Sequence, residues 1–281
     1  MKLANIIIDG AEHLCLMKDD KLEDLTRAGF EGGIEAVLDG EMNDVLRAFE
    51  TRDELFDIDA SDAVFGNIVP EGKKLVCVGL NYMSHAKNVD FKPAEKPTLF
   101  SKFSDALAPA GDTLELAPWE TSYDYEVELV IVMGKTAWGV SKEEARNYVF
   151  GYSIGNDFSC RDAQHYSSQW LVGKTMPGFG PCGPCIITAD SFNPDCPNAI
   201  RSYVNGELRQ NGTTDEMIFN VDDIVSYASH YIKLEPGDLI FTGTPSGVIL
   251  EKKSDEQKWL KSGDRVDVEI EGIGSFYTKL A

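Results

Sequence analysis

One segment constrains the fold of this chain more than any other, the sequence YDYEVELVIVMGK from Tyr123 to Lys135. Its apolar run from Leu129 to Val132 is typical of a buried strand. Two carboxylates lie in the same segment, because Glu126 and Glu128 stand two residues apart, and in a strand this spacing points both side chains to one face. Like charges repel and buried charges lose hydration, so the folded chain must compensate this pair.

Many short strands surround this segment in the sequence. GYSIGNDFSCRD and GDLIFTGTPSGV each begin as an apolar strand, and RVDVEIEGIGSFYTKL is a closing hairpin whose first arm alternates, with Val266 and Ile270 on one face. RSYVNGELRQ is a second hairpin, since Asn205-Gly206 is typical of a two-residue turn. Helices are few; NVDDIVSYASHYI is predicted to be one, with Asn220 as its N-cap. The sequence therefore predicts a mainly β protein with some α, of the α+β class.

Residues 1–70 have the pattern of a small separate unit with short strands and one amphipathic helix. The stretch VPEGKK at 69–74 is the predicted boundary, which divides the chain into a small N-terminal α/β domain, 1–70, and a larger domain, 71–281. Residues 1–70 carry 17 acidic against 6 basic side chains. Such an excess is typical of a solvated, solubilising face, and an acidic docking surface is the alternative.

The whole chain has a net charge of −21, which argues against nucleic acid and anionic membrane surfaces as partners, because both attract patches of Lys and Arg. The apolar run in MKLANIIIDG is too short for a secretory signal, and no apolar stretch reaches the ~20 residues of a membrane span. We therefore expect a cytoplasmic protein that is not inserted in a membrane.

Two of the six cysteines, Cys182 and Cys185 in CGPC, have the spacing of a thioredoxin-type redox site. Such a site lies where a strand meets a helix N-terminus, because the helix dipole lowers the thiol pKa. The residues that follow, IITAD, are typical of a strand instead, and no second CxxC or histidine pair completes a zinc site. We expect a Gly-Pro turn flanked by two catalytically silent thiols.

A hard divalent cation would turn the repulsion between Glu126 and Glu128 into binding, because Mg²⁺ and Mn²⁺ prefer carboxylate oxygens. A Glu-x-Glu pair by itself is more typical of a solvated strand edge. Asp157 strengthens the metal interpretation, because it stands at the end of the apolar strand GYSIGND. Three acids at strand ends suit an octahedral ion that keeps positions open for water and substrate.

Seven motifs follow one another in an order that resembles the fumarylacetoacetate hydrolase family: VCVGLNYMSHAKN, PTLFSKFSDAL, YDYEVELVIVMGK, GYSIGNDFSCRDAQ, QWLVGKTMPGFGPCGP, VNGELRQNG and LEPGDLIFTGTPSGV. The resemblance covers about residues 73–281 and is closest to bacterial members with a short N-terminal domain, which act on acylpyruvates and sugar-derived 2,4-diketo acids. It implies the family's mixed β-sandwich roll, a homodimer, and a small-molecule 2-keto or 2,4-diketo acid as substrate.

The resemblance also implies roles for individual residues. Those that match the family's Mg²⁺ or Mn²⁺ ligands are Glu126, Glu128 and Asp157. Those that match its catalytic histidine and lysine are His85 and Lys174. The positions expected to contact substrate or line its pocket are Tyr82, Arg161, Gln164 and Thr244. Lys102, in LFSK, belongs near the site or has a structural role.

One position departs from the family pattern. Many relatives carry a glutamate three residues after the catalytic histidine, which orients it to activate water; here that position is Asn88, and Asp90, two residues further on, is the alternative candidate for this role. The leading interpretation is a Mg²⁺- or Mn²⁺-dependent hydrolase that cleaves a C–C bond in an acylpyruvate or 2,4-diketo acid.

The first alternative keeps the same metal site but decarboxylates an oxaloacetate-type substrate or interconverts its enol and keto forms. These reactions need a stabilised enolate and a proton, not an activated water. A metal-binding protein without activity and a thiol–disulfide oxidoreductase are the remaining alternatives.

Overall fold

The computed structural model describes residues 1–38, 41–51, 57–83 and 95–281. His85, Asn88 and Asp90 lie outside these ranges. Within the ranges the strands are β1 (Lys2–Ile8), β2 (Ala11–Lys18), β3 (Lys21–Asp24), β4 (Ile58–Asp59), β5 (Leu75–Gly79), β6 (Thr98–Lys102), β7 (Leu107–Pro109), β8 (Thr113–Leu114), β9 (Tyr123–Asp124), β10 (Val127–Met133), β11 (Val149–Asn156), β12 (Ser159–Cys160), β13 (Gly180–Thr188), β14 (Ala199–Val204), β15 (Glu207–Thr213), β16 (Leu239–Phe241), β17 (Arg265–Ile270) and β18 (Gly274–Leu280). The α-helices there are α1 (Asn43–Glu50), α2 (Lys142–Ala145), α3 (Arg161–Gln164), α4 (Leu171–Lys174) and α5 (Val221–Ser229). This is the mainly β, α+β fold that the sequence predicts.

Two sheets carry most of the structure. Within the described ranges the larger sheet has 11 strands in the order β4-β3-β2-β1-β13-β11-β10-β16-β5-β6, with β7 paired to β13. The smaller sheet has, in the same ranges, five strands in the order β15-β14-β17-β18-β8. Every residue of the two central strands β10 and β11 is buried, because both faces of the larger sheet are covered.

The two faces of β10 belong to different parts of the core. Leu129 and Ile131 pack in the same cluster as Val268 and Ile270 of the smaller sheet. Val130 lies in a second cluster on the opposite face, with side chains of β5, β13 and β16. By the alternation of a strand, Glu128 shares the face of Val130 and points away from the smaller sheet.

The strands of the first 62 residues extend the larger sheet, because β1 pairs antiparallel with β13 in the register Lys2–Ile187. The predicted amphipathic helix of this region is observed at α1. The division into domains at residue 70 stays a prediction. Among the residues that the structure describes, no helix has the length and apolar character that crossing a membrane requires.

The structure contains the hairpin turn, the helix N-cap and the closing hairpin that the sequence predicts. Asn205 and Gly206 both adopt positive φ, 52° and 80°, in the turn between β14 and β15, which confirms the predicted hairpin. The side chain of Asn220 accepts the Asp223 N–H at 3.0 Å and caps α5. The closing hairpin is formed by β17 and β18, as expected.

The prediction for CGPC is wrong in one respect. Cys182 and Cys185 do not flank a turn but lie inside β13, which pairs with β11 on either side of a register shift between Tyr152 and Ile154. Both thiols are buried and free. Burial raises the pKa of Cys182 to about 12 and that of Cys185 to about 11. These thiols are protonated near neutral pH, and their catalytic silence stays a prediction.

Candidate metal and active site

Three carboxylates converge where β10 begins and β11 ends. The two strands are antiparallel, with Val127 opposite Asn156. Glu126 and Glu128 flank Val127, and Asp157 directly follows Asn156. One carboxylate oxygen from each acid lies within 4.8 Å of the others, and all three side chains are buried. The antiparallel register therefore brings acids that are about 30 residues apart in sequence to a single point.

The predicted single strand from Tyr123 to Lys135 is in fact two. β9 pairs with β12, whereas β10 begins only at Val127. Between them the Glu126 N–H donates to the side-chain oxygen of Asn156 at 3.0 Å. This side-chain bond replaces a ladder bond and anchors the backbone of a metal-ligand candidate at the break between the strands.

Glu126 is held by two cationic side chains. Arg161 Nη2 donates to Glu126 Oε1 at 2.7 Å, and Lys174 Nζ donates to Glu126 Oε2 at 2.7 Å. Lys174 Nζ also donates to Asp157 Oδ2 at 2.9 Å. It therefore bridges two of the three carboxylates Glu126, Glu128 and Asp157, which together form the carboxylate triad. Burial lowers the pKa of Lys174, but the charges of Asp157 and Glu126 outweigh it and raise this pKa above its ordinary value. Lys174 is therefore an ammonium placed beside the triad.

Glu128 is in a different situation. Its Oε2 accepts the Gly243 N–H at 2.8 Å, but it forms no ion pair with any cationic side chain of the described ranges. Burial, followed by the charges of Asp157 and Glu126, raises its pKa well above the ordinary value. Gly243 allows this contact, because it has φ +97° and a Cβ there would press against Asn81.

The residues present fit a hard divalent cation. All the metal-ligand atoms that the triad offers are carboxylate oxygens, which Mg²⁺ and Mn²⁺ prefer over nitrogen or sulfur ligands. Glu128, a buried carboxylate that forms no ion pair with a cationic side chain of the described residues, is the kind of group that a bound cation would stabilise. The triad could therefore hold a divalent metal ion through Glu126, Glu128 and Asp157.

Lys102 contacts the triad at Asp157. Its buried Nζ forms an ion pair with Asp157 Oδ1 at 2.6 Å. The same nitrogen donates to the carbonyl oxygens of Phe158 at 3.2 Å, of Phe179 at 2.9 Å, and of Lys174. An ammonium surrounded by protein oxygens in this way holds Asp157 and the backbone of Lys174 in place.

Two short helices position the remaining cations. Arg161 opens α3, and α4 ends at Lys174. The helices touch at Gly173, where a Cβ would collide with the backbone of Gln164 and Cys160. Only glycine permits this approach, which explains why a glycine precedes the lysine in the GKT sequence.

The four predicted substrate residues are all buried near the triad, but they differ in what their polar atoms do. Arg161 donates through all three guanidinium nitrogens, to Asp124, Glu126 and Gln164. The Thr244 hydroxyl donates to the Val127 carbonyl at 2.7 Å. Both side chains are thus engaged within the protein, and their contacts with substrate stay predictions.

Tyr82 and Gln164 retain polar groups that a substrate could use. The Tyr82 hydroxyl is buried and has no hydrogen-bond partner among the described residues. Burial and then the charge of Glu128 raise the Tyr82 pKa far above its ordinary value, so the hydroxyl keeps its proton. Gln164 uses its oxygen to accept from Arg161, and no bond of its amide nitrogen is found in the same ranges. These two groups can donate to a bound anion.

Sequence reasoning missed three polar residues that organise the site: Asp124, Asn156 and Gln210. Asp124 accepts from Arg161 and from the N–H groups of Ile249 and Leu250, at 2.8–3.0 Å. A signal for Asp124 was available, because it precedes Glu126 by the same two-residue spacing that separates Glu126 from Glu128. Asn156 and Gln210 gave no such signal, since only the tertiary fold brings them to the glutamates.

The fold and the site together define a class: a mainly β protein with a buried carboxylate triad, suited to a hard divalent cation, and an ammonium beside it. The sequence model described as fumarylacetoacetate (FAA) hydrolase C-terminal matches residues 74–281. The chain belongs to the fumarylacetoacetate hydrolase family.

Individual relatives differ in the reactions that their names state. The chain is 44% identical over 219 residues to the fumarylacetoacetate hydrolase domain-containing protein 2 homolog of Dictyostelium discoideum, covering 73% of this chain and 70% of that protein. It is 37% identical over 222 residues to the human mitochondrial oxaloacetate tautomerase FAHD2A, covering 78% and 70%. Among solved structures it resembles the fumarylacetoacetate hydrolase of Exiguobacterium antarcticum, with a TM-score of 0.82, 33% identity and coverage of 100% and 99%. Members of the family are thus enzymes that include hydrolases and tautomerases.

Proposed function

We propose that the protein is a Mg²⁺- or Mn²⁺-dependent enzyme that interconverts the enol and keto forms of an oxaloacetate-like 2-keto acid. The observation that carries this proposal is Lys174, an ammonium within hydrogen-bond distance of both Glu126 and Asp157 in the triad. Enol–keto conversion needs a stabilised enolate oxygen and a group that exchanges a proton, and this arrangement offers both. Relatives named oxaloacetate tautomerases, at 36–37% identity, support the choice of substrate.

A divalent cation bound by Glu126, Glu128 and Asp157 would act as a Lewis acid and withdraw charge from the 2-keto oxygen of the substrate. The Lys174 ammonium stabilises negative charge on the same oxygen and is the proposed proton donor. In the conversion of enol to keto form, Lys174 gives one proton to the adjacent carbon and becomes an amine, and the proton that leaves the enol hydroxyl restores the ammonium, so the overall composition is unchanged. The Tyr82 hydroxyl and the Gln164 amide are proposed to donate to the substrate's carboxylates.

The test measures the decay of the enol absorbance of oxaloacetate with protein that has been stripped by chelation and then reloaded with Mn²⁺. We expect activity to vanish on chelation and to return with the metal. Glu128→Gln should abolish the response to metal, and a coupled pyruvate assay separates decarboxylation from tautomerisation. Full activity in the presence of excess chelator would refute the proposal.

Hydrolysis of an acylpyruvate or 2,4-diketo acid is the second candidate, favoured by the likeness to a solved fumarylacetoacetate hydrolase. It needs a base for water, and the predicted base, His85, lies outside the described residues. Asn88→Glu tests this candidate, because a carboxylate would stabilise a cationic His85, whereas an amide cannot. We expect the ratio of acylpyruvate cleavage to oxaloacetate tautomerisation to be low in the wild type and to rise in this variant.

The homodimer and the cytoplasmic location predicted from the sequence are retained as parts of this proposal. Sedimentation of the purified protein and fractionation of its host cell would test them separately from the chemistry.

A further inference from the structure

Gln210 lies on β15, in the smaller sheet, and its side chain reaches the strand that carries the glutamates. It is fully buried. Its oxygen accepts the Val127 N–H at 3.0 Å and the Ser202 hydroxyl at 2.9 Å. Its nitrogen donates to the Thr244 hydroxyl and to the Pro245 carbonyl, both at 2.7 Å. The amide therefore uses its entire hydrogen-bonding capacity of two donors and two acceptor sites.

Three of these residues, Val127, Gln210 and Thr244, form a closed ring of hydrogen bonds beside the metal-ligand candidates. Val127 stands between Glu126 and Glu128; its N–H is held by Gln210, and its carbonyl accepts the Thr244 hydroxyl at 2.7 Å. Thr244 in turn follows Gly243, whose N–H donates to Glu128. Gln210 thus fixes the backbone between the two glutamates to the loop that supports one of them.

We propose that Gln210 is a positioning residue for the divalent-cation site, acting through Val127 and Thr244 to hold Glu126 and Glu128 at metal-binding spacing. The inference rests on the proposed metal-dependent function. Partners that orient the ligands of a metal typically change metal affinity or activity by about 10–100-fold when they are removed. The same range is expected for Gln210, although its bonds to Val127, Ser202, Thr244 and Pro245 would act on the glutamates only through the backbone.

Ser202 provides a matched control. It is also fully buried and donates to the same oxygen of Gln210, but from β14 within the smaller sheet. Ser202→Ala removes one bond to this amide and leaves the bonds to Val127, Thr244 and Pro245 in place. A purely structural role of the amide predicts similar consequences for both positions, whereas a positioning role predicts a selective loss of metal affinity at Gln210.

The experiment uses the full chain, stripped of metal, as wild type, Gln210→Met and Ser202→Ala. Thermal unfolding without metal measures stability, and calorimetric titration with Mn²⁺ measures affinity. We expect Gln210→Met to weaken Mn²⁺ binding by about 10–100-fold, and Ser202→Ala to bind as the wild type does. A folded Gln210→Met protein with wild-type affinity would overturn the proposal.

A second variant covers the case in which Gln210→Met does not fold. Gln210→Glu keeps an oxygen for the Val127 N–H and the Ser202 hydroxyl but, as a carboxylate, cannot donate to Thr244 and Pro245. We expect it to bind Mn²⁺ more weakly than the wild type does, because the bonds to Thr244 and Pro245 are lost, and unchanged affinity would again contradict a positioning role. Absence of Mn²⁺ binding by the wild type is a different outcome, because it would refute the proposed metal-dependent function itself.

Discussion

Glu126 and Glu128 are both metal-ligand candidates, yet the structure predicts that their removal has opposite effects on the metal-free protein. Glu126 compensates two buried cations, Arg161 and Lys174. Glu128 accepts the Gly243 N–H, forms no ion pair with a cationic side chain in the described part of the chain, and repels Asp157 and Glu126. Glu126→Gln and Glu128→Gln are therefore a matched pair of variants, because each replaces one carboxylate by an amide of the same size and removes one candidate metal ligand.

The expected magnitudes follow from these contacts. Breaking a buried ion pair costs about 3–5 kcal/mol, and we expect the lower end for Glu126→Gln because the amide oxygen can still accept one bond. Glu128→Gln removes an under-compensated buried charge while its amide oxygen keeps the Gly243 bond, and should stabilise the metal-free protein by about 1–3 kcal/mol. The two variants should therefore differ by about 4 kcal/mol or more. In a protein of this size that corresponds to roughly 8 °C or more in Tm.

The pH dependence has a definite sign. The folded protein raises the pKa of Glu128 above its ordinary value of 4.5, so the folded state binds this proton more tightly than the unfolded state does. The metal-free wild type consequently loses stability as the pH rises above about 4.5 toward the raised pKa. Glu128→Gln lacks this proton, so its stability advantage over the wild type should grow with pH across that window.

The assay is thermal unfolding of chelator-treated wild type and both variants between pH 5 and 9, with Mn²⁺ titration to verify that both variants have lost the metal. Equal destabilisation by Glu126→Gln and Glu128→Gln, or an advantage of Glu128→Gln that shrinks with rising pH, would refute the reasoning.

Three further predictions concern neighbouring groups. Lys174→Met should lower kcat by about 10²–10⁴-fold without weakening Mn²⁺ binding, because it removes a positive charge from beside the triad; a Mn²⁺ titration that shows weaker binding would contradict this separation. Tyr82→Phe should lower kcat/KM by about 10–100-fold, because the hydroxyl is proposed to donate to an anionic substrate. The stability of the protein should not change, since no partner of that hydroxyl lies within the described ranges. An unaltered kcat/KM would show that Tyr82 does not contact the substrate. The double variant Cys182→Ser/Cys185→Ser should retain full activity. Thiol labelling of the native protein at pH 8 should modify the exposed Cys196 but neither buried thiol of β13, because the pKa values of Cys182 and Cys185 are about 12 and 11. Rapid labelling of Cys182 or Cys185 would show that β13 opens.

The sequence by itself determined the features that depend on neighbouring residues. The alternation from Val266 to Ile270 defined a strand with one buried face, and Asn205-Gly206 defined a hairpin, because positive φ at both turn positions is a local property. The Glu126-Glu128 spacing, with Asp157 at a strand end, was enough to predict a cluster of acids. The ordered motifs were enough to predict the family, which the match over residues 74–281 confirms.

Only the tertiary structure decided how that cluster is compensated. Strand periodicity did not show that β9 and β10 are separate, because the break depends on the Asn156 side chain from a neighbouring strand. Nor could it show that Arg161 is engaged by Asp124 and Glu126, or that Gln210 reaches Val127 from the other sheet. These bonds join residues 30 to about 80 positions apart. Their geometry depends on the register and packing of whole strands, and no local pattern in the sequence encodes it.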